Sequence, residues 1–426
     1  MKNKSTRNPW SWVPSLYFAE GMPYIIVMTV SVIMYKRLGL SNTDIALYTS
    51  WLYLPWVIKP LWSPVVDLFK TKRFWIITMQ LIIGAGLAGV ALTIPLNSFV
   101  QYTLLFFWLM AFSSATHDIA ADGFYMLGLT EHQQAFFVGI RSTFYRFAML
   151  AGQGLLIILA GYFEEIYTIK TAWTIVFVIL ASLFGLFFLY HFFILPKPVT
   201  DIKRKTESTE KFIKEFLNTF VLFFKRKGIL VIIGFLLLYR FGEAQLVKIA
   251  APFLLDSKEA GGLALGTSEI GVIYGTIGLI ALMVGGIFGG IVCSKDGLKK
   301  WIWWMLISIN LPNVVYVYLS FVQPESFIII SSLIAVEQFG YGFGFTAYML
   351  YMIYISEGTH KTSHYAIATG FMALGMMIPG MFSGWIQETI GYKLFFIWVV
   401  VATIPAFIIT KFIKIDPLFG IKKNDD

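Results

Sequence analysis

Residues 113–122 read Ser-Ser-Ala-Thr-His-Asp-Ile-Ala-Ala-Asp, inside an apolar run from about Tyr102 to Leu127. Asp118 and Asp122 stand four residues apart, which puts both on one face of a helix. A run this long and this apolar can cross a bilayer. An ionised carboxylate in hydrocarbon costs at least ~2.5–3.5 kcal/mol on insertion scales, and two on one face repel. The pair must face a polar interior, meet cations or hold a proton. Each outcome suits a transport pathway better than a structural rod.

Outward from this stretch, the whole chain has the same character. It has 426 residues, 58% hydrophobic and only 13% charged, with a mean hydropathy of +0.73. Such a composition calls for a lipid solvent. A net charge of +9 raises the question of nucleic acid, but in a membrane protein excess Lys and Arg marks cytoplasmic loops, so no nucleic-acid partner is expected. One cysteine, Cys293, excludes an intrachain disulfide. The opening residues MKNKSTRNPW are basic, yet the apolar run after them is long and lacks a small-residue cleavage site. The first helix is therefore read as retained.

Apolar runs of spanning length fall at about 10–35, 44–66, 73–94, 101–128, 134–161 and 171–195. They resume at about 228–255, 268–292, 301–322, 326–356, 363–387 and 391–413. The expectation is an all-α integral membrane protein of about twelve transmembrane helices. Residues 1–195 form one six-helix bundle and 228–426 a second with a short cytoplasmic tail, joined by a linker over 196–227. With the N-terminus inside, 23 of the 33 basic residues fall on the inner side and 5 in outer loops. Both termini are thus expected in the cytoplasm. The other five, Lys59, Arg141, Arg146, Arg240 and Lys248, lie within predicted spans.

Within the linker, Phe212, Ile213, Phe216, Leu217, Phe220, Phe223 and Phe224 recur at helical spacing with polar residues between them. This predicts an amphipathic helix on the inner membrane surface, ended by the break at 225–228. A faint repeat runs through both halves. Leu40, Thr43, Asp44 and Ile45 echo Leu265, Ser268, Glu269 and Ile270. Asp67 with Lys70, Lys72 and Arg73 echoes Asp296 with Lys299 and Lys300, and Phe18 and Glu20 match Phe241 and Glu243. Six-plus-six halves related in this way point to a secondary transporter with a site near the midplane.

Several motifs carry a resemblance. Residues 59–67, K-P-L-W-S-P-V-V-D, resemble the "K-x-L-W-x-P-x-x-D" run of the AmpG-type muropeptide permeases and the related acetyl-coenzyme A transporters, within the major facilitator superfamily. Residues 116–122, T-H-D-I-A-A-D, resemble that group's "T-Q-D-I-x-x-D". Residues 239–244, Y-R-F-G-E-A, are similar to its "Y-K-L-G-D-A". The glycines after Glu337, and Thr362, His364, Tyr365 and Ala366, are similar to its tenth span and to the start of its eleventh. His117 and His364 stand where the group has glutamines, and Glu243 where it has an aspartate. The resemblance covers nearly the whole chain. It implies the major facilitator fold and proton-coupled import of anhydro-muropeptides in cell-wall recycling across a bacterial inner membrane. An alternative cargo is acetyl-coenzyme A or another organic anion or drug.

The charged residues inside the spans are the candidate site. Asp118, Asp122, Lys59, Arg141 and Arg146 are expected to serve proton coupling or gating, the alternative being a fixed structural network. Arg240 lies about twelve residues into the seventh span, ~18 Å at 1.5 Å per residue, near mid-membrane. With Lys248 it could hold an anionic substrate such as a peptide carboxylate, with Glu243, Glu337 and Glu20 at similar depth. The alternative is neutralisation of the cations by Glu243 and Glu337. His117 reads as a core or pore-lining residue. Five scattered histidines and one cysteine give no metal pattern, and no cofactor is expected. The glycines at 285, 286, 289 and 290 read as close helix packing. Without a nucleotide-hydrolysing motif, the energy source is expected to be an ion gradient, with protons as the second partner. A polytopic membrane enzyme would need a catalytic pair near one membrane face, and a channel would not call for a two-fold repeat. No enzyme activity is expected.

Overall fold

The computed structural model describes residues 7–198, 201, 209–357 and 361–421. Lys203, Arg204 and Lys205 of the linker, Lys2 and Lys4 at one end of the chain and Lys422 and Lys423 at the other, and the side chains of Asp67, Phe212, Ile213, Phe216 and Thr362 lie outside the described residues. Among those described, all regular structure is helical.

Among the described residues, ten helices are long and apolar enough to cross a membrane. One of them, Ser363–Thr410, has 48 residues, ~72 Å of helix against a hydrocarbon core of ~30 Å. Gly391 divides it with φ 75°, a conformation glycine adopts without steric cost. It therefore supplies the eleventh and twelfth spans. The second span is the one that a search for long helices misses. It is two pieces, Asn42–Trp51 and Leu54–Leu68, and the second piece carries Lys59 and three prolines. That restores the twelve spans expected from the sequence. Three spans contain a wider π-turn: Ile26–Val30 in the first, Ala151–Leu155 in the fifth and Ile273–Gly278 in the eighth. The linker helix Thr209–Phe224 forms and stops before Gly228, whose φ is 78°.

Contacts divide the chain into two compact units. The first takes the described residues of Met1–Met34 and Ile58–Lys214, the second Tyr35–Val57 and Glu215–Asp426. In the first unit, the third span (Lys72–Thr93) packs on the fourth (Phe99–Gly128) and on the sixth (Ile169–Ile194), and the first span packs on the fifth (Gly139–Ile166). One end of this unit is a cluster in which Trp12 meets the Phe124 ring edge-on at 5.2 Å. In the second unit the eighth span (Thr267–Asp296) lies along the tenth (Phe327–Ser356). Glycines allow backbone to approach backbone there, since a Cβ on Gly342 would stand 1.9 Å from the Leu282 carbonyl. The same contact explains the glycine-rich stretch of the eighth span, where Gly285 faces the Phe339 carbonyl.

The first piece of the second span, Asn42–Trp51, belongs to the second unit. It packs along the eleventh span, where a Cβ on Gly384 would lie 2.0 Å from the Asn42 carbonyl. A polar network fixes it in place. Lys36 pairs with Asp256 at 2.6 Å and donates to Asn42 Oδ1, Asn42 donates to Gln387 and Tyr392, and Tyr392 donates to Asp256.

Candidate functional site

Ionisable side chains gather in two clusters, one in each unit, the first half-buried apart from the buried Glu20 and the second buried. In the first unit, Asp118 and Asp122 project from the same face of the fourth span, as their spacing requires. Each meets its own cation. Lys59, reaching from the second piece of the second span, Leu54–Leu68, pairs directly with Asp118. Arg141 of the fifth span holds Asp122 at 3.0 Å and donates to the Tyr17 hydroxyl, which in turn reaches Asp122. The Arg141 guanidinium packs on the rings of both Tyr17 and Tyr125, 4.8 and 5.0 Å from their centroids. Such stacking adds to the ion pair and fixes its geometry. Arg146 makes no ion pair among the described residues, so Arg141 is the arginine that serves the cluster. Glu20 also faces this cluster. It is 8% exposed, and its Oε2 has no hydrogen-bond partner.

Behind the pair runs a second, uncharged chain. Gln80 of the third span bridges His117 at 3.0 Å and His191 of the sixth span at 2.9 Å, and His191 reaches Ser15 at 2.9 Å. All three of Gln80, His117 and His191 are buried. His117 is thus a core histidine held by hydrogen bonds, and its neighbour Asp118 points elsewhere, to Lys59. Buried polar groups satisfied in this way fix a unique arrangement of the helices that carry them.

In the second unit the seventh span is discontinuous. Helix Ile229–Leu238 stops, Arg240 takes a non-helical φ of −114° and ψ of 21°, and Phe241–Leu255 resumes. The break releases carbonyls, and Tyr348 donates to that of Leu236. It also places Glu243 in the first turn of a new helix, where the dipole favours negative charge. Arg240 donates to the Tyr341 hydroxyl, and its guanidinium lies 5.1 and 5.0 Å from the centroids of Tyr341 and Phe345. Its Nε and the Glu243 Oε2 are buried without hydrogen-bond partners. Glu337 accepts from the neighbouring Gln338 at 2.9 Å and lies within electrostatic reach of Glu243. Lys248, 1% exposed, turns to the first piece of the second span and the turn that follows it. It donates to Thr49 at 3.0 Å and lies over the Tyr53 ring. The cluster sits at a broken helix, where transporters place polar groups that need partners.

The four candidates Arg240, Glu243, Lys248 and Glu337 all fall in the second unit, whereas Glu20 joins the Asp118–Asp122 group. Sequence reasoning did not reach the aromatic faces of Tyr17, Tyr125, Tyr341 and Phe345, or the Ser15–His191–Gln80–His117 chain. Aromatic residues are too common here to carry a signal singly, and residues 15, 80, 117 and 191 lie far apart in the chain.

The comparisons agree with this architecture. The Major Facilitator Superfamily model matches residues 15–364. AmpG 4 of Rickettsia felis, named as a transporter, is 28% identical over 412 residues, 94% of this chain and 95% of its own. The anhydromuropeptide permease of Escherichia coli is 24% identical over 409 residues, 92% of this chain and 77% of its own. Among solved structures, a D-xylose–proton symporter superposes with a TM-score of 0.72 at 13% identity, covering 95% of this chain and 97% of the other. The nucleoside transporter NupG superposes with a TM-score of 0.69 at 16% identity, covering 94% and 98%. These two likenesses show the fold. From its helices and these matches, the chain belongs to the Major Facilitator Superfamily, as a multi-pass membrane transporter of the AmpG type and not an enzyme.

Proposed function

We propose that this secondary transporter imports anhydro-muropeptides, coupled to protons, by alternating access across a bacterial inner membrane, with both termini in the cytoplasm. The observation that carries the reading is Arg240. A guanidinium buried at a helix break, with aromatic faces on it and an N–H left unpartnered, suits a carboxylate that arrives with the cargo. Aromatic rings beside such a cation also suit the apolar faces of sugar rings. Lys248 adds a second buried cation, and Glu243 and Glu337 complement the amines of a peptide. The names carried by the AmpG relatives support the same cargo, and the charge asymmetry of the loops supports the orientation.

In this reading Lys59, Asp118, Asp122 and Arg141 form the gate. The pairs Lys59–Asp118 and Arg141–Asp122 hold one state, and their rearrangement admits the other. The test is uptake of labelled N-acetylglucosamine–anhydromuramyl peptide into proteoliposomes under an imposed pH gradient, with acetyl-coenzyme A as competitor. Saturable accumulation that acetyl-coenzyme A does not displace is the expected result. Accumulation of labelled acetyl-coenzyme A in its place would give the carrier a different anion.

A further inference from the structure

The cluster of the first unit holds three carboxylates and two paired cations. Asp118 has Lys59, and Asp122 has Arg141 with the Tyr17 hydroxyl. The third acid, Glu20, is left over. It is more than nine-tenths buried, and one of its oxygens has no hydrogen-bond partner. The groups facing it are Tyr17 on its own span, Lys59 of the second, Asp122 of the fourth, and Arg141 and Tyr145 of the fifth. Both cations among them are already engaged. The next residue, Gly21, lets the first span close onto the fifth at this level. A Cβ there would stand 3.0 Å from the Tyr145 carbonyl and 3.1 Å from Ala148 Cβ.

A buried carboxylate anion with an unmade hydrogen bond is the costliest species such a cluster can contain. As a neutral acid Glu20 leaves two anions against two cations, a balanced set. We infer that Glu20 is the site that binds the transported proton, while Asp118 and Asp122 stay ionised on their cations. This rests on the proton-coupled reading above and assigns the proton to a residue.

The cycle balances simply. A proton from water on the acidic side forms an O–H bond on Glu20, and the cluster becomes neutral. When the cluster opens to the other side, that O–H bond breaks and the proton passes to water there. The carboxylate left behind is shared between Lys59 and Arg141 until the next proton arrives. Glu20 lies on a span whose π-turn begins six residues later, at Ile26. Such turns are common at functional sites and let a helix change register locally.

The experiment uses the full chain in proteoliposomes with a pH gradient of one unit and labelled anhydro-muropeptide. With one proton per cargo molecule, the wild type accumulates up to about ten-fold. Glu20→Gln is expected to bring the ratio to about one while exchange at equal pH on both sides continues, and Glu20→Asp is expected to keep coupling. Accumulation by Glu20→Gln at the wild-type ratio overturns the assignment. A wild type that never responds to the gradient overturns the coupling reading itself, and the assignment with it. A second readout needs no cargo and settles the case of a variant that has lost exchange. Infrared pH-difference spectra of the purified protein should contain a protonated-carboxyl band that disappears in Glu20→Gln and survives in Asp118→Asn and Asp122→Asn. An unchanged set of such bands in Glu20→Gln overturns the assignment.

Discussion

Removing both members of the Lys59–Asp118 pair should cost less than the two single removals added together. The two side chains are 27% and 24% exposed, so the site is largely but not wholly cut off from water. Breaking a buried pair from one side costs about 3–5 kcal/mol, because a charge is stranded. With a quarter of each side chain still exposed, the lower end applies. Lys59→Met strands Asp118 and should cost about 3 kcal/mol. Asp118→Asn should cost less, about 2 kcal/mol, because Lys59 remains within electrostatic reach of Glu20 and Asp122. The double variant has no stranded charge and should cost about 3 kcal/mol, which leaves a coupling of about 2 kcal/mol. Read as apparent unfolding temperature at about 2 °C per kcal/mol for a chain of this size, Lys59→Met falls by roughly 6 °C and the double variant by no more. Tryptophan fluorescence during a thermal ramp in detergent, at one fixed scan rate, measures all four proteins. Strict additivity, with the double variant falling by the sum of the singles, would refute the reasoning, since two residues that do not feel each other form no pair.

Arg240→Ala should weaken cargo binding by ten-fold or more, and Arg240→Lys by less, because lysine keeps the charge but loses the fork. Equal, native binding by both variants in a cargo-displacement assay would reduce Arg240 to a counter-charge. Cysteines introduced at Glu164 and Lys258 should react with an impermeant reagent from outside the cell and one at Lys361 should not, with the buried Cys293 as an internal blank. Gly342→Ala places a methyl group 1.9 Å from the Leu282 carbonyl. It should lose at least ~1–3 kcal/mol, measured as a fall in unfolding temperature. Gly290→Ala, with open space around the new Cβ, should not.

The fold was legible because lipid leaves so few choices. Apolar runs of the right length, with basic residues concentrated in alternate loops, read as spans whatever packs against them. The second span shows the limit of length alone. Its pieces are short because Leu52 and Tyr53 depart from the helix, yet its motif and its place in the repeat still mark it. The Asp118–Asp122 pair was legible from a spacing of four. The choice of Arg141 over Arg146 was not, because residues five apart on a helix point about 140° away from each other and only the neighbouring span decides which faces inward. Nor could the sequence say that Glu20 joins the two aspartates. Depth can be counted along a chain, but rotation about a helix axis is set by packing.

The placement of residues 35–57 bears on how the protein is made. The helix Asn42–Trp51 is among the first segments synthesised, and its buried face includes Asn42, Thr49 and Ser50. Its partner, the eleventh span, begins only at Lys361, about 300 residues later. At ~5–20 residues per second the ribosome delivers that partner roughly 15–60 s afterwards. For that interval a polar helix must wait in the translocon or at the lipid surface without the side chains that will satisfy it. A gene split in the 196–227 linker would lengthen the wait to the time that two separate polypeptides take to find each other. A chaperone or insertase that shelters this one early helix should therefore limit the yield of the whole protein.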